Sequence, residues 1–215
     1  MDNKNKRPLR AVIFTGGECT PEKISAEDLS GDLYIAADSG QNTARRCGIQ
    51  VHLLVGDFDS SAAPDAPQGT QIVRVPAEKD DTDTMLACRM AVENGASDIT
   101  VIGGTGGRID HTLSNLFLLE SLKAQGITAR LTDGCNRIRV LSDEECTITK
   151  GEFHYFSLLA TEDASVSVSG CRYPLDNAPL RRTLPYAVSN EITDKCAHIS
   201  VQGGPVFLIE STDAQ

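Results

Sequence analysis

Short apolar runs alternate with helical patterns through the first two thirds of the chain. Residues 10–15, 33–37, 52–55, 71–75, 99–102 and 129–132 read as strands. Several of them are continuously apolar rather than alternating, as expected when both faces of a sheet are covered. Between them, residues 42–47, 84–93 and 113–124 carry helical periodicity, and these stretches stop at Gly48, at Asn94-Gly95 and at Gln125-Gly126. Glycine just past the last turn is a common helix stop, because it reaches positive φ without a Cβ clash. Strands alternating with helices predict a mainly parallel α/β sheet, in which ligands bind beyond the carboxyl ends of the strands.

The texture changes near Asn136. Residues 138–141, 146–149, 153–159, 165–168, 197–201 and 206–210 are short, partly alternating β-type runs with no long helical pattern between them. This spacing predicts an antiparallel sandwich or half-barrel. Segment 176–185, with Pro179 and Pro185, is expected to form a loop or an irregular edge. The expected organisation is an α/β domain over 1–135 followed by an all-β, sandwich-like domain over 136–215.

Charge and cysteine content narrow the class. A formal net charge of −10 argues against nucleic acid or an anionic membrane as the main partner, yet it is compatible with a phosphorylated small molecule beside a metal and an arginine. Seven cysteines without a C-x-x-C pair suit reduced thiols in a cytosolic protein rather than a disulfide or zinc framework. The basic start (Lys4, Lys6, Arg7, Arg10) precedes an apolar run of only four residues, too short for a signal-peptide core, and no stretch is long enough to span a membrane. A cytoplasmic location is expected.

Four acidic clusters fall just past apolar runs: Asp38-Ser39-Gly40, Asp57-Phe58-Asp59, Asp80-Asp81-Thr82-Asp83 and Arg108-Ile109-Asp110-His111. Two like unit charges about 4 Å apart repel by ~4 kcal/mol at an effective dielectric of 20, so a fold that gathers them needs a cation. Oxygen-only ligands suit Mg²⁺. Asp57 and Asp59 would point to the same side if strand geometry continues; a turn in which each aspartate bonds its own backbone is the competing account. Asp80, Asp81 and Thr82 also suit the capping of the helix that follows, whereas Asp83 competes better as a metal ligand. Lys79 has the length to reach a phosphate or to remain a solvated surface lysine.

The run Gly103-Gly104-Thr105-Gly106-Gly107-Arg108 follows a strand and leads into a helix. Glycines let backbone N–H groups approach an anion closely, and a helix N-terminus favours negative charge. The run matches neither the Walker loop nor the dinucleotide fingerprint. Arg108 is suited to clamp phosphate oxygens, Asp110 to support the metal shell, and His111 to bond at the helix start or to act in catalysis. Asp38-Ser39-Gly40 resembles a ribose or phosphate turn. Ser189-Asn190-Glu191 offers neutral hydrogen-bonding groups and by composition is a turn.

In this order the motifs resemble thiamine pyrophosphokinase of the bacterial type. The pieces that carry the resemblance are Ala37-Asp38-Ser39-Gly40, Gly56-Asp57-Phe58-Asp59-Ser60, Glu78-Lys79-Asp80-Asp81-Thr82-Asp83, Gly103 through His111, and Ser189-Asn190-Glu191. The resemblance implies transfer of the pyrophosphoryl group of ATP to the hydroxyl of thiamine, with release of AMP. It implies Mg²⁺ organised by Asp57, Asp59 and Asp83, with Arg108 and Asp110 completing the catalytic set. ATP would be held by Asp38, Ser39, Gly40, Lys79, Thr82, Gly104, Arg108 and His111, and thiamine by Asp80, Ser189 and Asn190. It also implies a homodimer with active sites at the subunit interface. Position 39 is Ser where the family often has Gly, and the chain contains no Trp to stack on the thiamine ring. Three rival functions share parts of this chemistry: a pyrophosphokinase acting on a hydroxymethyl pterin, a D-x-D metal-dependent nucleotide-sugar transferase, and a non-catalytic nucleotide-binding module.

Overall fold

The computed structural model describes residues 7–57, 67–75 and 81–213. The chain divides into two compact units, residues 1–134 and 135–215.

Among its described residues the first unit holds six strands, β1 (Leu9–Phe14), β2 (Leu33–Ala37), β3 (Leu53–Gly56), β4 (Gln71–Arg74), β5 (Ala96–Ile102) and β6 (Thr128–Thr132). Three α-helices accompany them, α1 (Gly40–Arg46), α2 (Asp83–Glu93) and α3 (Ile109–Ala124), with a 3-10 turn at Pro21–Lys23. The strands pair in parallel in the order β4-β3-β2-β1-β5-β6. Burial explains the missing alternation: the last four residues of β1 and all four of β3 are buried, as befits strands covered on both faces. The edge strand β4 is mostly exposed. One core cluster joins Val12, Phe14, Ala36, Leu54 and Ile102 of the sheet to Ala44 of α1.

Two helices start earlier than the apolar pattern indicates. Helix α3 begins at Ile109 and α1 at Gly40. The added residues include Asp110, His111 and Thr112 in α3 and Gly40 and Gln41 in α1, none of which contributes an apolar repeat. Helix α2 starts as expected, with Thr82 Oγ1 accepting the Met85 N–H at 3.2 Å as N-cap.

The second unit is entirely antiparallel among its described residues. Its strands are β7 (Asn136–Leu141), β8 (Glu144–Thr149), β9 (Tyr155–Ala160), β10 (Ala164–Ser169), β11 (Leu175–Leu180), β12 (Cys196–Gly203) and β13 (Val206–Ser211). They form a three-stranded layer, β7-β13-β9, and a four-stranded layer, β11-β10-β12-β8. Here alternation is clear: β9 buries every second residue, and β12 buries Ala197, Ile199 and Val201. Side chains from both layers share one core, including Phe156, Leu158 and Leu208 against Val166, Val168 and Ile199. This is sandwich packing. The segment expected to be a loop or irregular edge overlaps β11, an edge strand whose pairing with β10 shifts register between Val166 and Val168. Pro179, which has no N–H to donate, sits in that edge strand.

Candidate active site

The chain runs outward from β1 to β4 on one side of the first unit's sheet, then returns to place β5 on the other side of β1. Strand order therefore reverses between β1 and β5, and the loops leaving their carboxyl ends open a crevice, as expected at such a switch point. The two loops are fastened together. Thr15 N–H donates to Ile102 O at 3.0 Å, and Glu18 N–H donates to Thr105 O at 2.9 Å. A Cβ on Gly17 would lie 2.4 Å from Gly104 N, so side chains are excluded where the backbones meet. Two further bonds shape the glycine-rich loop. Asn115, buried on α3, donates Nδ2 to Gly104 O at 2.8 Å. Thr105 Oγ1 donates to Asp133 Oδ2. Gly104 has φ +84°, and a Cβ there would meet Asn115 Nδ2 at 2.8 Å.

These loops and their neighbours enclose a cleft of about 540 Å³. Among the described residues five carboxyl groups line it, from Glu18, Asp38, Asp57, Asp81 and Asp83, against the guanidinium of Arg108. Ser39, Thr82, Gly104 and His111 also line it. Asp38 follows β2 with φ +49°, a conformation aspartate tolerates better than most residues, and its N–H donates to Val55 O at 2.7 Å. Asp83 occupies the first turn of α2, where the helix dipole favours a carboxylate. Asp81 is ion-paired with Arg89, so its charge is answered within the protein.

Arg108 and Asp110 form a two-point pair, with Nε to Oδ1 at 3.1 Å and Nη2 to Oδ2 alongside. The hydrogen bond from Arg108 holds the Asp110 carboxyl below its ordinary pKa, and the same bond raises that of Arg108. Asp110 Oδ1 also accepts the His111 N–H at 3.0 Å, at the N-terminus of α3. Asp110 thus orients the arginine and caps a helix-end donor, and it is not part of the cleft wall. Gly40 is buried beneath the cleft: a Cβ there would stand 2.0 Å from Phe14 O.

Among the described residues no group of three His, Cys, Asp or Glu side chains is close enough to hold a metal ion. Asp57 and Asp83 lie on the same cleft, while Asp59, Lys79 and Asp80 fall outside the described residues. This donor set still fits Mg²⁺, which usually takes one or two carboxylates and completes its octahedron with water and substrate phosphate oxygens.

In the second unit Ser189 is exposed with φ +56°, and its N–H donates to Ser157 Oγ at 3.0 Å. The buried Asn190 amide is committed internally. Its Oδ1 accepts from the N–H groups of Tyr173 and Glu191, and its Nδ2 donates to Tyr173 O. It shapes the segment that presents Ser189.

Sequence reasoning missed the loop Thr15-Gly16-Gly17-Glu18 and the roles of Thr105 and Asn115 in the cleft. One signal was available: Gly16-Gly17 follows the first apolar strand just as Gly103-Gly104 follows the fifth.

A family model described as thiamin pyrophosphokinase, catalytic domain, matches residues 29–131. A second, described as thiamin pyrophosphokinase, vitamin B1 binding domain, matches residues 145–206. The thiamine pyrophosphokinase of Bacillus subtilis (strain 168) is 34% identical over 190 residues, covering 84% of this chain and 88% of the relative. Thiamin pyrophosphokinase 1 of Caenorhabditis elegans is 24% identical over 222 residues, covering 92% and 88%. Among solved structures, thiamine pyrophosphokinase from Bacillus subtilis superposes with a TM-score of 0.83 at 30% identity, covering 95% of this chain and 100% of that one. A thiamin pyrophosphokinase family protein from Enterococcus faecalis gives a TM-score of 0.82 at 30% identity, again with 95% and 100% coverage.

Proposed function

We propose, for a chain that belongs to the thiamin pyrophosphokinase family, that it transfers the pyrophosphoryl group of ATP to the hydroxyl of thiamine, giving thiamine diphosphate and AMP. The observation that carries the chemistry is the single cleft at the β1–β5 switch point, where Asp38, Asp57 and Asp83 face a glycine-rich loop and Arg108. Phosphoryl transfer asks a protein mainly for alignment and charge neutralisation.

In this reading the backbone N–H groups of the Gly104-to-Gly107 loop receive the phosphates, and Asp38, Ser39, Gly40, Lys79, Thr82 and His111 complete the ATP site. Gly40 contributes by letting α1 approach β1 closely. Asp57, Asp59 and Asp83 would hold Mg²⁺, which would supply neutralisation of the phosphate charge. Arg108, aimed by Asp110, stabilises charge that develops on the transferred group. The hydroxyl oxygen of thiamine attacks the β-phosphorus, the bond to the α-phosphate oxygen breaks, and a carboxylate of the cluster takes the alcohol proton. Asp80 and the Ser189-Asn190 segment belong to the thiamine site, Asn190 through its hold on the local backbone. Family membership favours thiamine over a pterin, and a pyrophosphokinase over a sugar transferase or a binding module.

The assembly proposed is a homodimer with active sites at the subunit interface. It is supported by Ile109, Leu113 and Phe117, spaced by four along α3 and exposed at 70%, 44% and 52%. Such a stripe is the kind of helix face that a partner covers. No helix among the described residues is long and apolar enough to cross a membrane, and a cytoplasmic location is part of the proposal.

The deciding experiment is incubation with ATP, Mg²⁺ and thiamine, with chromatography of the nucleotides. AMP formed in step with thiamine diphosphate supports the assignment. ADP, or no product, overturns it.

A further inference from the structure

Strand β12 buries Ala197, Ile199 and Val201, which leaves Cys196, His198 and Ser200 on the opposite face of its sheet. There His198 is engaged at both ring nitrogens: Nδ1 lies 3.0 Å from Thr147 Oγ1, and Nε2 lies 3.5 Å from Cys196 Sγ. Thr147 stands directly across from His198 on β8. With Nδ1 protonated and donating to the threonine hydroxyl, Nε2 presents its lone pair to the Cys196 thiol. That is the arrangement in which an imidazole withdraws a thiol proton. His198 and Thr147 also line a cleft of about 690 Å³, together with Glu145, Ser167, Ser169 and Ser200.

Five of the other thiols are placed differently. Burial pushes the Cys19 and Cys88 thiols up to about 12 and also raises Cys47, Cys146 and Cys171. A raised thiol pKa lowers the thiolate fraction and slows attack. Cys196 is partly exposed and faces a histidine.

We propose that Cys196 is a modification site, a partly exposed thiol activated by His198 and oxidised by small peroxides from solvent. As the Cys196 proton moves to His198 Nε2, the sulfur attacks one peroxide oxygen. The O–O bond breaks, an S–O bond forms, and the imidazolium returns the proton to the departing hydroxide as water. Sulfur loses two electrons, the peroxide gains two, and the product is a sulfenic acid. Thr147 is a positioning residue that fixes the imidazole tautomer. The inference is independent of the pyrophosphoryl-transfer site.

The test uses the reduced full chain, hydrogen peroxide as probe and dimedone as sulfenic-acid trap, with adducts located by peptide mass spectrometry. The expected result is a Cys196 adduct forming about 10-fold or more faster than one at Cys135, and about 10-fold slower in His198→Gln, since a positioned base is commonly worth a factor of this size or greater. Thr147→Val also slows the reaction, and Thr147→Ser, which keeps the hydroxyl, restores it. An adduct at Cys135 ahead of Cys196 overturns the proposal. So does a wild-type rate in both His198→Gln and Thr147→Val.

Discussion

Asn115 Nδ2 donates to the carbonyl oxygen of Gly104 at 2.8 Å, which ties the second turn of α3 to the loop that lines the cleft. Replacing Asn115 by Leu removes the donor and leaves a buried carbonyl unpaired. An unsatisfied buried polar group costs about 1–3 kcal/mol. Urea unfolding of Asn115→Leu is expected to show a loss in that range, and the KM for ATP is expected to rise as the loop relaxes. Unchanged stability would show that the bond carries no load.

Gly40 and Gly48 offer a contrast in what a methyl group does. At Gly40 a Cβ would meet Phe14 O at 2.0 Å, whereas at Gly48, with φ +70°, nothing lies within 4 Å. Gly48→Ala should lose only the left-handed backbone cost, about 1–2 kcal/mol. Gly40→Ala must push α1 away from β1, so it should lose more and should also weaken ATP binding. Thermal melts of the two variants, set beside ATP titrations, make the comparison.

Asp57→Asn keeps the shape of the side chain and removes its charge. Turnover is expected to fall by at least about 100-fold, the scale seen when one electrostatic stabiliser is removed from a reacting site, while the unfolding midpoint stays close to wild type. The same holds for Asp83→Asn, though the lost first-turn carboxylate should also cost a few tenths of a kcal/mol in α2. Steady-state kinetics across a Mg²⁺ titration check both. Wild-type turnover in a folded Asp57→Asn protein would remove this residue from the mechanism.

The Arg108–Asp110 pair sets a pH dependence whose direction is known. Asp110 has its carboxyl pKa lowered from 3.8 by its hydrogen bond to Arg108. The pair is therefore intact above the unfolded value and is lost as pH falls through the lower folded value. Carboxyl-carbon NMR should show Asp110 titrating below the ordinary range in wild type. In Arg108→Gln the titration should move upward. Identical titrations in the two proteins would mean that the pair does not form in solution.

The sequence made the layers legible because burial leaves a direct trace in residue type. Uninterrupted apolar runs marked β1 and β3, alternation marked β9 and β12, and Thr82 announced the start of α2. The carboxylates were legible for a related reason: Asp38, Asp57 and Asp83 each follow or precede an element whose end the pattern locates. What stayed hidden depends on contacts between distant segments. Glu18 meets Thr105, and Thr105 meets Asp133, through bonds that no local pattern encodes. Asp110 lies two residues from Arg108, yet its partnership with the guanidinium rather than with the cleft depends on side-chain direction. Asn190 was read as a ligand group by resemblance, and only its three backbone contacts reveal that its amide is already occupied.

The border strand β11 has a bearing on behaviour at high concentration. Exposed strand rims invite neighbouring molecules to add on, rung by rung, and the four-stranded layer of the second unit ends on such a rim. Pro179 interrupts the rungs there by withholding an amide, and the irregular pairing around Val166 and Val168 bends the template. Growth of one molecule upon another is thereby discouraged along this border.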